Sequence, residues 1–473
     1  MADPRRGRRR PQPTSGGRPP ARRPTVDAPR AAAYDVLKAV RVEDAYTNLV
    51  LPDVLRKHGL TGRDAAFTTE LVSGTIRRQG TYDAVLAACV DRPLAKVEAK
   101  VLDALRLGTH QLLAMRVPTH AAISTTVDLV RARVGQGPAG FTNAVLRRVS
   151  ERELGDWVRL VAPEDPRGFA SVAFSHPRWV VDALAEALGP DGDLDALLAA
   201  DNAAPRVTLV ARPGLVTVEE LVDAGGTASS QSPYAVELGG GDPGAIPAVA
   251  EGRAGVQDEG SQLVALGVAA AALEGRDERW LDVCAGPGGK SALLAALAAD
   301  RGAGLLASER QPHRAVLVQR ATAAASAGLT GVVVADGTRP AWAPGTFDRV
   351  LVDAPCSGLG ALRRRPESRW RRTPADVADL VPLQRALLAA ALDSVRAGGV
   401  VAYATCSPVV AETVEVVGAV LAERSDVELL DATAALPDAF GDARSAHLPE
   451  AVQLWPHLHG TDAMFLALLR RTS

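Results

Sequence analysis

The sequence predicts an α-helical bundle followed by an α/β domain, a parallel sheet covered by helices on both faces. Two patterns carry this expectation. From 29 to 153 apolar residues recur at three- and four-residue spacing, and beyond about Gly255 short Val- and Leu-rich strands alternate with helices. The length of 473 residues is a third argument for more than one domain, because single hydrophobic cores stop growing at roughly 250 to 300 residues.

The chain begins with a basic stretch. Arg5, Arg6, Arg8, Arg9, Arg10, Arg18, Arg22 and Arg23 are opposed only by Asp3 and Asp27, with Pro and Gly between them. Such a segment does not pack; it serves either as an electrostatic arm for phosphates or as a solubilising tail. The helical segments follow: AAAYDVLKAV, TNLVLPDVLRKHG, RDAAFTTELVSGTIRR, VEAKVLDALRLGTHQLLAMRV and AAISTTVDLVRARVG, with Gly59, Gly80, Gly135 and Gly137 at their ends. Short polar connections between them imply a compact bundle.

Between 154 and 257 helical text (PRWVVDALAEAL, DLDALLAAD) gives way to β-rich text (RVTLVARPG) and then to LGGGDPGAIPAV, which reads as a small α+β module. The division expected is a basic tail over 1–28, the bundle over 29–153, the connecting module over 154–257 and the α/β domain over 258–473. In the last, RWLDVCA leads into GKSALLAALAAD, GLLASE into PHRAVLVQRATAAASAG, and GVVVAD and DRVLVDAP precede the long helix ADLVPLQRALLAAALDSV and the strand GVVAYATCS. In such folds ligands bind at the carboxyl ends of the strands.

At the end of the first of these strands stands Cys284-Ala285-Gly286-Pro287-Gly288-Gly289-Lys290. Glycines let the backbone approach a ligand, and the helix that follows offers free N–H groups. A Walker phosphate loop is excluded, because Cys284 stands where its first glycine is required. The second strand ends in Glu309, placed for ribose hydroxyls, and the third in Asp336, placed for the adenine side. One strand-end acid is usually a helix cap. Acids at consecutive strand ends beside a Gly-rich turn suit an adenosine-containing ligand.

Two further strand ends carry thiols, in Asp353-Ala354-Pro355-Cys356-Ser357 and Thr405-Cys406-Ser407. Cysteine is most often a small buried hydrophobe, the reading kept for Cys89. For Cys356 and Cys406, both ending a strand and both preceding Ser, covalent chemistry is the better account. C5 of cytosine is a poor nucleophile, and adding a thiolate at C6 turns the base into an enamine that can attack an electrophilic methyl group. Spacing and chemistry leave the two cysteines interchangeable in that role. The four cysteines form no pair with disulfide or zinc spacing, so a reducing cytoplasm and no metal are expected. No apolar run approaches the roughly 18 residues of a membrane span.

On DVCAGPGGKS, DAPCSGLG, YATCS, VQDEGSQL and HGTDAMF, and on FTNAVLRR at the end of the bundle, the chain resembles the bacterial 16S rRNA cytosine-5 methyltransferases of the Sun/RsmB type. These join a NusB-like helical RNA-binding domain to a class I, Rossmann-like methyltransferase domain. The resemblance implies S-adenosyl-L-methionine as cofactor, Cys284 through Lys290 along its methionine part, Glu309 at ribose, Asp336 at adenine, and Asp353 between cofactor and base. It implies Cys406, in the Thr-Cys-Ser motif, as nucleophile, with Cys356 assisting product release. RNA, 16S rRNA before full assembly, is the implied partner, with no membrane and no obligate protein partner. Gly286, Ser291 and Glu309 stand where Ala, Thr and Asp are usual, and none of these changes removes a chemical role. The segment 363–372 (RRRPESRWRR) combines cations with Trp370 and reads as an RNA-contacting loop.

Two other classes compete. An RNA-binding assembly factor with a vestigial enzyme domain is disfavoured because both cysteines, Lys290 and the strand-end acids are present. An adenine amino-methyltransferase is set aside because DAPC occupies the position of its Asn/Asp-Pro-Pro-aromatic motif.

Overall fold

Asp27 starts the first helix by accepting the Arg30 N–H at 2.9 Å, with Pro29 in the first turn, where its missing donor costs nothing. Seven helices follow one another: α1 (Ala28–Val42), α2 (Thr47–Lys57), α3 (Gly62–Arg77), α4 (Gln79–Cys89), α5 (Ala99–Leu113), α6 (Thr119–Arg133) and α7 (Ala139–Val149). The computed structural model describes residues 26–473, so the arginines of the basic stretch lie outside the described residues. Tyr34, Leu37, Leu71, Leu107 and Val130 form one core of the bundle; Leu86, Leu105, Leu146 and Val149 form a second. Cys89 lies in that second core at 1% exposure, and burial pushes its thiol up to about 11, as suits a packing residue. Helix α8 (Leu154–Val161) adds Trp157 to the same core, its indole N–H bonded to Val149 O at 2.9 Å, so bundle packing continues past Glu153.

Three more helices, α9 (Pro166–Ala173), α10 (Arg178–Leu188) and α11 (Leu194–Ala200), precede a small antiparallel sheet. Its strands β1 (Val207–Ala211), β2 (Gly226–Ala228), β3 (Ala235–Leu238) and β4 (Ala254–Val256) are ordered β2-β3-β1-β4.

The large sheet comprises β5 (Arg279–Asp282), β6 (Gly304–Glu309), β7 (Leu329–Val334), β8 (Phe347–Asp353), β9 (Val395–Thr405), β10 (Val427–Leu430), β11 (Val452–Gln453) and β12 (Phe465–Arg471). Its order is β10-β12-β9-β8-β5-β6-β7, with β11 paired to β12. From β9 to β7 all pairings are parallel, and residues of β8 and β9 are buried on both faces, which is why they read as unbroken apolar runs. The far edge departs from the all-parallel expectation. The helix Val414–Glu423 carries the chain from β9 to β10, one strand position beyond its neighbour, and the C-terminal β12 fills the gap antiparallel to both. The strand order reverses between β5 and β8, the place where α/β sheets open a ligand crevice.

Segment 363–372, expected to be an RNA-contacting loop, turns most of its charges inward rather than to solvent. Of its six arginines only Arg365 is exposed. Arg369, with 0% exposure, donates to Asn202 Oδ1 (2.8 Å), Ser175 O and Asp201 O (both 3.2 Å). Arg371 donates to Val40 O and Ala45 O, and the Trp370 indole to Ile76 O. Glu367 accepts from Thr47 N and Oγ1, both at 3.0 Å, and so caps α2, whose own Tyr46 has no capping side chain. The charges are used internally because helix ends meeting at this joint leave carbonyl and N–H groups that only long polar side chains can reach. The motif VQDEGSQL works in a similar way. Its Asp258 binds Arg364 and accepts from Asp462 N at 3.0 Å, tying the strand before the large sheet to the HGTDAMF turn. Burial beside Asp258 pushes the Asp462 carboxyl up to about 7.

Burial pulls Arg369 down to about 10, which leaves it cationic at neutral pH beside His176 and Asp201. Replacing it with Ala strands those buried polar groups and should cost about 3 kcal/mol, read as a lower guanidinium midpoint; a wild-type midpoint would show that the joint contributes nothing to stability.

Candidate active site

The parallel register sets the site out as a row. Asp282 pairs with Ala307 and with Leu351, so Cys284, Glu309 and Asp353 leave the sheet at one level on three adjacent strands. Glu309 pairs with Val334, which brings Asp336 to the same edge, and Asp353 pairs with Ala404, which brings the two cysteine segments side by side. Every residue singled out at a strand end therefore faces one crevice.

The loop after β5 fits a close-lying ligand. Gly288 has φ of 113°, and a Cβ there would stand 2.6 Å from Ala321 Cβ and 3.0 Å from Val318 Cα. A Cβ on Gly286 would fall 2.2 Å from Glu309 Oε2. Glu309 accepts from Gly286 N at 3.0 Å and from Gln311 N at 2.9 Å, while Arg314 bonds Gly286 O, so the acid braces the loop. A carboxylate offers about four acceptor sites, which leaves capacity for a ligand hydroxyl. Gln257 Oε1 and Ser308 Oγ are buried without partners beside this loop and β6. The helix Gly289–Asp300 opens at the loop with no side-chain cap. Glycines without room for a Cβ, an uncapped helix start and unpartnered buried oxygens together fit a small polar molecule lying along 284–290. Cys284 is half-buried there, its thiol pushed well up by loss of solvent.

Asp336 closes a turn, accepting from Thr338 N at 3.0 Å and Thr338 Oγ1 at 2.8 Å. Those bonds first, and the Arg310 and Arg339 charges after them, hold its carboxyl below the usual range. Lys290 Nζ donates to Asp353 Oδ2 at 2.9 Å. Burial works against the lysine's charge, but Asp353 outweighs it and the ammonium is held more firmly than usual.

The two thiols meet: Cys356 Sγ and Cys406 Sγ are 3.5 Å apart. Their loops are stitched by Ala354 N to Ala404 O at 2.8 Å and Gly360 N to Cys406 O at 2.9 Å. Gly360 is obligatory, since a Cβ would fall 2.0 Å from Ala463 O. Donation from the Cys356 S–H holds the Cys406 thiol below its ordinary value, and Lys290 and Arg365 add to this. Cys356 moves the other way, because its proton is committed to Cys406, its surroundings solvate the thiolate poorly, and the Cys406 and Glu412 charges oppose its ionisation. The site thus contains one thiol disposed to ionise and a neighbour disposed to keep its proton.

Sequence reasoning missed Glu412. It is fully buried behind both thiol loops and accepts from Ser357 and Ser407, the residues that follow the two cysteines. The repeated Cys-Ser pair was the available sign that one partner serves both. Among the described residues no cluster of His, Cys, Asp and Glu has the arrangement of a metal site, and no helix is long and apolar enough to cross a membrane.

Comparison with known proteins agrees with this geometry. Residues 270–470 match the family model of the 16S rRNA methyltransferase RsmB/F, and residues 27–151 match that of the NusB family. A Mycobacterium tuberculosis protein with a methyltransferase name is 51% identical over 97% of this chain and 99% of its own length. Ribosomal RNA small subunit methyltransferase B of Pseudomonas putida is 34% identical over 85% of this chain and 91% of its own, and that of Pseudomonas syringae 33% identical over 85% and 88%. Among solved structures, PH0851 superposes with a TM-score of 0.77 at 19% identity, covering 94% of this chain and 99% of that one. A methyltransferase homologue from Pyrococcus horikoshii superposes with a TM-score of 0.52 at 20% identity, covering 64% and 97%. These two show the fold, a helical region joined to a class I methyltransferase sheet. With relatives above 30% identity across most of both chains, and the two family models lying in order along it, this chain belongs to the 16S rRNA methyltransferase RsmB/F family.

Proposed function

We propose that the protein methylates C5 of a cytosine in 16S rRNA, through a covalent bond between Cys406 Sγ and C6 of the base. The observation that carries this reading is the pair of thiols 3.5 Å apart, oppositely shifted, next to Lys290 and Asp353. S-adenosyl-L-methionine, held along 284–290 with Glu309 at its ribose and Asp336 on its adenine side, supplies an electrophilic methyl group when bound.

The chain's own residues do the rest. Cys406, as thiolate, adds to C6 and moves electron density into the ring. The Lys290–Asp353 pair, where Asp353 lies between cofactor and base, is the polar group that answers that charge. C5 becomes nucleophilic and takes the methyl group. Once Cys406 is bonded to carbon, its negative charge is gone, and with it the main opposition to ionising Cys356. Cys356 then releases its own proton to solvent and, as thiolate, takes up the C5 proton, and Cys406 leaves as thiolate. The helical region 29–153 and the module 154–257 are assigned to RNA contact, and 258–473 to catalysis.

Cys406→Ala should abolish methyl incorporation into rRNA from a deletion strain, a loss on the order of a thousandfold or more, while cofactor binding by calorimetry is kept; retained turnover would sink the assignment. Cys356→Ala should leave a covalent RNA–protein species that survives a denaturing gel, and an absence of that species removes the release role. A third measurement concerns pH. Because the Cys406 thiol is lowered by its neighbour's S–H, its alkylation by iodoacetamide should rise at lower pH than that of a free thiol, and the curve should move up in Cys356→Ala. Coincident curves would show that Cys356 does not ionise its partner.

A further inference from the structure

Glu412 is the last residue of a short helical turn, Val410–Glu412, directly after the Cys406 loop. It has 0% exposure, and among the described residues no lysine, arginine or histidine pairs with it. Its charge is met by neutral donors alone. Oε1 accepts from Ser357 N at 2.7 Å and Gln384 Nε2 at 3.1 Å; Oε2 accepts from Ser357 Oγ at 2.5 Å and Ser407 Oγ at 2.6 Å. A buried carboxylate without a counter-ion is costly, so its retention demands a return.

That return lies in what the four donors are. Ser357 and Ser407 each adjoin one thiol, and their hydroxyls lie 3.0 Å apart across the same carboxylate oxygen. Gln384, on the long helix Pro374–Ser394, also donates to Pro355 O at 2.8 Å, so the residues on either side of Cys356 are both anchored. Tyr403 OH donates to the backbone carbonyl of Glu412 at 2.7 Å, which fixes the turn to β9. The loops are also joined by the backbone bonds Ala354 N to Ala404 O and Gly360 N to Cys406 O, but among the described residues Glu412 is the side chain that bonds the residues following both cysteines.

We infer that Glu412 is a positioning residue of the methyl-transfer reaction: its carboxylate clamps Ser357 to Ser407 and thereby sets the separation and mutual orientation of the Cys356 and Cys406 sulfurs. The inference rests on the proposed roles of the two thiols, and it predicts a defect in chemistry rather than in binding. A displacement of about 1 Å in a reacting group can cost on the order of a hundredfold in rate.

The test uses the full-length protein with Glu412→Gln, nearly the same shape but with one acceptor replaced by a donor. Two readouts are taken. In steady-state methylation of rRNA, kcat should fall about tenfold to a hundredfold while KM for RNA stays within about twofold. Separately, phenylarsine oxide, whose trivalent arsenic bridges two neighbouring thiolates, should bind the wild-type protein through Cys356 and Cys406 and bind Glu412→Gln about tenfold more weakly. The arsenical readout needs no turnover. If Cys406→Ala keeps activity, the nucleophile assignment fails while the arsenical still judges the clamp. Unchanged arsenical affinity in a folded Glu412→Gln, with or without loss of kcat, overturns the inference. Should that variant not fold, Ser407→Ala, which removes one of the four bonds, replaces it in both measurements: weaker arsenical binding supports the clamp, and unchanged binding overturns it.

Discussion

Parallel pairing in register is the constraint on which the site depends. The site draws on five strands far apart in sequence, and Cys284, Glu309, Asp336, Asp353, Cys356 and Cys406 each lie at or just beyond the end of one of them. A slip of one residue in a strand buried on both faces would turn its apolar side chains and its terminal residue to the wrong side together. The cores above and below the sheet, Leu281 with Val350, Val352 and Val401 on one side and Leu305 with Leu351, Val400 and Ala402 on the other, therefore hold the chemistry in line. Stability and function are here the same requirement.

A second dependence runs between the helical part and the sheet. Arg369, Trp370, Arg371 and Glu367 all engage residues before 203, and the segment that contains them begins seven residues after Cys356. Exposed Arg365 in its middle lies over the Tyr46 ring at 5.0 Å and adds its charge at Cys406. The bundle thus supports the active site physically, through a segment whose charges are largely spent on the joint. Fixing so many long side chains costs conformational entropy, and the buried hydrogen bonds that result are what offset it.

How far the sequence could be read follows from the range of each signal. Helices in the bundle and strands of the large sheet were readable because periodicity and unbroken apolar runs are local. The glycine loop and strand-end acids were readable because the topology puts every strand's carboxyl end at one edge. By contrast, the fate of 363–372 depended on carbonyls of α1 and α3 that lie 331 and 294 positions away, and composition alone cannot tell a cation that meets phosphate from one that caps a helix. The Asp258–Arg364–Asp462 knot lay hidden inside motifs that were visible as text but not as a contact. Likewise the antiparallel insertion of β12 is a matter of strand order, to which a single strand's pattern is blind.

The two thiols show what geometry adds to chemistry. As text they were equivalent, each a cysteine at a strand end before a serine. In the fold their surroundings differ: cations stand by Cys406 and none is among the groups that bear most on Cys356. Cys406 feels its neighbour's S–H first, and after it the Asp353 charge, which opposes ionisation, and the Lys290 and Arg365 charges, which favour it, whereas the charges that bear most on Cys356, its partner's thiolate and Glu412, are both negative. A shared proton between sulfurs 3.5 Å apart must settle on the side where negative charge is least tolerated, which is Cys356. This asymmetry supports the proposal of Cys406 as nucleophile, which the Thr-Cys-Ser resemblance implies on other grounds. On the proposed mechanism it also gives the second cysteine a use: a thiol that donates to the nucleophile before attack would, after attack, have lost both its acceptor and the charge that kept it protonated, and so be free to take up the C5 proton.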